Sequence, residues 1–152
     1  MFTKQEASQL KQQFWTSFGQ YMAPVPSADG LKINWVNYKT GVKDLHFKME
    51  AGKNAAIISI VLSQADIERQ EFFFNQFIQI KHLLHDALNE EWQWALHIPD
   101  ESNKITSSIY KTLNGVNVFK KEDWPAIISF FKPRIIALDA FWSEVKFSFE
   151  SL

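Results

Sequence analysis

Cysteine is absent from this chain. Disulfides, thiolate nucleophiles and cysteine-based zinc sites are therefore excluded. Glycine is scarce, with five in all, and each falls at a turn or near the end of the first helical segment. No glycine-rich phosphate loop and no Gly-x-Ser-x-Gly elbow is present. No run approaches the ~20 apolar residues of a membrane span. The opening residues, MFTKQEASQL, lack the apolar stretch of a signal peptide. The expectation is a soluble cytoplasmic protein with no membrane partner. Formal net charge is -1, so neither a global basic field nor an acidic one marks out a partner.

Large rings are what the chain has in excess, with 14 Phe and 6 Trp among 152 residues. Rings fill a core with few residues, which is the simplest account of them. Their surplus also makes self-association an expectation. The length fits a single domain, residues 1–152.

Ala55–Leu62, AAIISIVL, carries no charge and four β-branched residues. That pattern predicts a central strand buried on both faces. Before it, residues 3–21 read as a helix: Thr3 and Glu6 have capping-box spacing, and Ala7, Leu10, Phe14, Phe18 and Tyr21 form a stripe. Pro24 and Pro26 place a loop at 23–30. Alternation predicts strands at 31–38 and 42–50, making a three-strand antiparallel meander with 55–62. A long helix is expected over 64–88, capped by Ser63 or Asp66, with Phe72, Phe73 and Phe74 facing more than one surface.

Strands at 91–98 and 105–113 follow, with Trp92, Trp94, Leu96 and Ile98 sharing a face. Val116 and Val118 suggest a short edge strand. Glu122 or Asp123 should cap the last helix, with Pro125 in its first turn and a break or kink at Pro133. Its stripe continues through Ile135, Leu138, Phe141 or Trp142, Val145 and Phe149. The fold class is α+β: helices on a largely antiparallel sheet of five or six strands, in the order helix, three strands, helix, two or three strands, helix. Ile58, Ile60, Phe47, Phe74, Phe77 and Leu138 are the expected core.

This order echoes the restriction-endonuclease-like core, whose active members carry paired acids and a lysine on the second and third strands to hold Mg²⁺. Asp44 and Glu50 fall near the second strand, but 55–62 has no ionisable residue; Lys53 precedes it and Asp66 follows it. Active cleavage is not expected. His82 and His85 stand three apart, and His46 and His97 lie on strands, yet no third ligand completes a zinc pattern. Acid pairs at Glu90–Glu91, Asp100–Glu101 and Glu122–Asp123 sit at element boundaries, where capping explains them. No metal or cofactor is implied.

Lys32, Lys39, Lys43 and Lys48 decorate the expected first hairpin, interleaved with Asn34, Asn37 and Tyr38. Lysines could grip phosphates while Tyr38 stacks on a base, so Lys32, Tyr38, Lys39 and Lys48 are the nucleic-acid-binding candidates. The simpler account is a solvated sheet edge guarded by lysine. The segments FWTSFGQYMAPVPSADGLKINWVNYKTGVK, at 14–43, and DWPAIISFFKPRIIALDAFW, at 123–142, resemble a bacterial family catalogued as domain of unknown function 4268. Some longer relatives carry such a domain behind a nuclease-like region, which implies a link to DNA or RNA processing by company alone. The resemblance carries over no catalytic residue. The reading is a non-catalytic binding or accessory module whose partner is nucleic acid or another protein. The alternative is an enzyme with a dispersed site, such as a divergent metal-dependent nuclease.

Overall fold

In the computed structural model, which describes residues 2–152, helix α1 spans Lys4–Met22 and opens on the expected capping box. Thr3 Oγ1 accepts from the Glu6 amide at 3.1 Å, and the Thr3 amide donates to Glu6 Oε1 at 3.3 Å. Both amides would otherwise lack a helical partner. Phe14, Phe18 and Met22 form the buried line. Tyr21, expected in that line, is half exposed and lies under Lys132 Nζ, 4.7 Å from its ring centre.

Among the described residues the sheet has four strands: β1 (Leu45–Ala51), β2 (Ala55–Leu62), β3 (Gln93–Pro99) and β4 (Ile105–Asn114). All neighbours are antiparallel, in the order β1-β2-β4-β3. β2 is central, as its apolar run predicts. Its burial is complete on one face only, which corrects the expectation of two covered faces; on the open face Ser59 alone is buried. Ala56, Ile58, Ile60 and Leu62 are buried, whereas Ile57 and Val61 remain partly exposed on the other side.

The strand expected at 31–38 is an irregular segment, which reduces the meander to one hairpin and removes the first strand of the nuclease-like order. Asn34 explains the difference. Its Oδ1 accepts the amides of Val36 and Asn37, both at 3.1 Å, and this local turn competes with a ladder. Trp35 Nε1 donates to the Val25 carbonyl at 2.9 Å and pins the segment inward. Asp44 adopts φ 61°, so β1 starts only at Leu45. The edge strand expected at 116–118 is also coil. There the Gly115 and Val118 amides donate to Asn54 and Gly52 carbonyls at 2.9 and 3.0 Å, so the chain crosses the β1–β2 turn with Val116 and Val118 buried.

The helix expected over 64–88 breaks in two, α2 (Ile67–Gln79) and α3 (Lys81–Leu88). Ile80 has φ -110° and ψ 23°, and its carbonyl accepts the amides of Leu83 and Leu84 as α3 restarts. The break lets α3 pack along the last long helix and bury Leu84; that packing outweighs the continuity of one rod. Asp66 caps α2, accepting from Glu68 and Arg69 at 2.9 and 3.3 Å. Of the three consecutive rings, Phe73 meets Phe149, Phe74 meets Trp94 edge-on, and Phe72 stays exposed.

Helix α4 (Trp124–Val145) continues through Pro133, so the break expected there as one outcome is absent. The carbonyl that Pro133 leaves without a donor belongs to Ser129, and both residues are exposed, which lowers the cost of the missing bond. Neither Glu122 nor Asp123 caps α4 by its side chain. A short 3₁₀ turn, Lys121–Asp123, leads in, and Asp123 Oδ2 accepts from the Asn117 amide at 2.9 Å instead. The final helix is α5 (Phe147–Glu150).

β3 does not keep the expected alternation. Its register shifts between Ala95 and Ile98, His97 has φ 51°, and Leu96 and Ile98 are exposed. The bulge is held from inside. The His97 amide donates to Ser107 Oγ at 3.0 Å, and Ser107 Oγ donates to Gln70 Oε1 at 2.6 Å. The Gln70 amide nitrogen reaches the carbonyls of Gln64 and Ile105 at 3.0 and 3.1 Å, with Gln70 fully buried.

All six expected core residues are buried. Ring contacts link Phe47 to Trp142, Trp142 to Phe149 and Phe149 to Phe77, with centroids 4.4–5.7 Å apart. The ring surplus is thus largely spent inside, with Phe2, Phe72 and Phe147 the exposed phenylalanines. No helix among the described residues is long and apolar enough to cross a membrane.

Candidate functional site

Phe47 and Lys48 are successive residues of β1 and point to opposite faces of the sheet. Phe47 faces the helices, and the Tyr38 ring stacks on it with centroids 5.0 Å apart. Lys48 faces away from the helices. Tyr38 and Lys39 line a cleft on the helix side, Lys32 is exposed on the same loop, and Lys48 belongs to the other surface. Tyr38 and Lys39 therefore lie on the opposite side of the sheet from Lys48, and the four nucleic-acid candidates do not form one hairpin surface.

The cleft has a volume of about 640 Å³ and lies between residues 27–39 and the end of α4. Its walls are tied by Asp139, which is 5% exposed. Asp139 Oδ1 accepts from the Tyr38 hydroxyl at 2.6 Å, and Oδ2 accepts from the Ala28 amide at 2.7 Å. Burial, then the bond to Asp139 and the negative charges of Asp139 and Asp29, push the Tyr38 phenol far above its ordinary pKa. Ser143 Oγ donates to Asp29 Oδ1 at 2.8 Å, and Trp142 Nε1 donates to the Thr40 carbonyl at 2.8 Å. Both cleft carboxylates are thus engaged within the protein.

The cleft's cations are not. Lys39 and Lys146 form no ion pair among the described residues. Asn34 and Asn37 add side-chain amides to the lining. The Lys146 ammonium lies over Gly41, which has φ 80°; a Cβ there would be 2.7 Å from Lys146 Nζ. Leu31, Ile33 and Trp142 supply apolar wall.

The open face of the sheet is a second, shallower concavity of about 720 Å³. The strand register sets Lys48, Ser59, Tyr110 and Gln93 in one row across it, with His46, Val61, Ser108 and Ala95 in the next. Lys48 and Lys104 are offset by Glu50, Asp100 and Glu101, so the face carries no basic excess.

The remaining sequence candidates have local roles. Asp66 caps α2, and Asp100 Oδ1 accepts the amides of Ser102 and Lys104 at 2.9 Å each. Glu90 takes two bonds from Arg134, at 2.8 and 2.9 Å, and one from Trp92 Nε1 at 2.7 Å. Burial works to raise the Glu90 pKa, but these donors outweigh it and hold the carboxyl below its usual range. His46 lies on the open face, His82 and His85 on α3, and His97 at the bulge. Among the described residues no three His, Asp or Glu side chains gather as a metal site would need.

Sequence reasoning passed over Asp139 and Lys146. The available signal was Asp139 itself, a lone acid inside the apolar run IIALDAFW at 135–142. An acid at a buried position needs donors, but nothing local says that they come from Tyr38 and Ala28. Residues 10–146 match the family described as Domain of unknown function (DUF4268), a span that includes both walls of the cleft. No curated protein and no solved structure matches the chain.

Proposed function

This chain belongs to the DUF4268 family, and we propose that it is a non-catalytic binding or accessory module whose ligand site is the cleft between residues 27–39 and the end of α4. The observation that carries this reading is the 2.6 Å bond from Tyr38 to Asp139. It commits the buried carboxylate to bracing loop against helix, so the cavity is formed before any ligand arrives. Cavities of about 300–1,000 Å³ with apolar walls and a few convergent polar groups are typical of small-ligand sites.

The same bond favours binding over turnover. General acid–base work needs a group poised to exchange a proton near the working pH. Asp139 has both oxygens engaged, and the Tyr38 phenol keeps its proton. In this reading residues 1–152 act as one cytoplasmic domain.

The test is amide chemical-shift mapping with a library of small polar and aromatic molecules. Shifts concentrated at 27–39 and 139–146 are expected. Shifts confined to the open sheet face would move the site there. Metal-dependent cleavage of DNA or RNA, lost in Glu50→Ala, would replace the module with a nuclease.

A further inference from the structure

We infer that the cleft takes a dianionic oxyanion, a phosphate monoester, with Lys39 and Lys146 as its charge partners and the apolar wall receiving the organic part. The inference rests on the cleft being the ligand site and adds the chemistry of what it holds.

Lining composition alone would leave the sign open, because two acids and two lysines meet there. The hydrogen bonds decide it. Asp139 spends both oxygens on Tyr38 and Ala28, and Asp29 accepts from Ser143. The Asn34 side-chain oxygen is likewise taken, by the Val36 and Asn37 amides. What remains for a ligand is mostly donors, the two ammonium groups and the Asn34 and Asn37 amide nitrogens, against two acceptors, the second Asp29 oxygen and the Asn37 side-chain oxygen. With free donors outnumbering free acceptors and both cations outside any ion pair, the site suits an acceptor-rich anion.

Two lysines favour a doubly charged group, since each acts as a compact point charge suited to phosphate. Leu31 and Ile33 provide the apolar surface for a base or another organic group.

The same chemistry has two sources, a free organic phosphate or the terminal phosphate of a nucleic-acid strand. Lys32 is exposed on the loop that forms one wall. The probes are inorganic phosphate, adenosine 5′-monophosphate, adenosine, and a six-nucleotide single strand with and without a 5′-phosphate. Binding is followed by amide shifts at low salt, with Lys39→Gln/Lys146→Gln and Lys48→Gln as variants whose melting temperatures are checked.

The phosphorylated probes should shift 27–39 and 139–146, and the double variant should weaken them at least tenfold. Lys48→Gln, on the opposite face, should not. Equal affinity for the mononucleotide and the phosphorylated strand identifies a small phosphate as the source; tighter binding of the strand identifies a nucleic-acid end. Neutral probes seated in the cleft, with phosphate failing to bind, would overturn the anion and keep the cleft. A double variant that binds phosphate like wild type would overturn the assignment of the lysines. No probe shifting the cleft would overturn both readings.

Discussion

Tyr38 and Asp139 are 101 residues apart in the chain and joined by a 2.6 Å hydrogen bond from phenol to carboxylate. The bond spans the cleft's two walls, and it ties their geometry to the protonation of one tyrosine.

Alkaline pH should therefore weaken the fold through Tyr38. Its folded pKa is raised, with burial the first cause and Asp139 the second. The contribution is fully present below about pH 10, the unfolded tyrosine value, and is lost as pH rises toward the folded one. Tyr38→Phe should cost about 1–3 kcal/mol at neutral pH, because Asp139 stays buried with one donor fewer. Denaturant titrations at pH 7 to 11 should show a shallower alkaline loss in the variant; parallel curves would deny the linkage.

Acid should act through Glu90. Its pKa is lowered because the Arg134 and Trp92 bonds outweigh the effect of burial. Stability from this group is present above the ordinary glutamate value of 4.5 and is lost as pH falls through the depressed folded value. Arg134→Ala should cost more than the about 0.2–1 kcal/mol of an exposed pair, since it leaves a partly buried carboxylate unpaired. Melting curves should show the gap between wild type and variant narrowing from pH 7 to pH 3.

Ile60→Ala tests the centre of the sheet. Ile60 is fully buried on β2 between Phe47 and Ile109 in the register. A loss of about 2–5 kcal/mol is expected. An unchanged denaturation midpoint would be incompatible with its position.

Ser107→Ala tests the polar bracket between α2 and the bulge. It removes the partner of the His97 amide and of Gln70 Oε1. About 1–3 kcal/mol should be lost, and hydrogen exchange at His97 should accelerate. Protection equal to wild type would mean that the bulge holds itself.

Local signals were the legible ones. The Thr3–Glu6 box, the apolar run of β2 and the stripe through Ile135, Leu138, Val145 and Phe149 each follow from neighbours in sequence, and each is present. The misreadings share another cause. Leu31, Ile33 and Trp35 alternate as a strand would, but Asn34 turns its own backbone. Ile80 interrupts a helix with no proline or glycine to announce it, because the benefit lies in packing on α4. Pro133 sits at an exposed position where the lost bond costs little. Of the site, Tyr38 and Lys39 were named, but their setting depends on Asp139 and Lys146, whose proximity is a tertiary fact.

The irregularity at His97 also governs the outside of the sheet. β3 is an outer strand, and its unpaired backbone groups could template the growth of a fibril. With His97 at φ 51° and Pro99 lacking an amide hydrogen, that row is out of phase within a few residues. An incoming straight strand finds only a short stretch with which to register. The serine that brackets α2 thereby guards colloidal behaviour along this border: straightening the kink would turn a closed rim into an adhesive one.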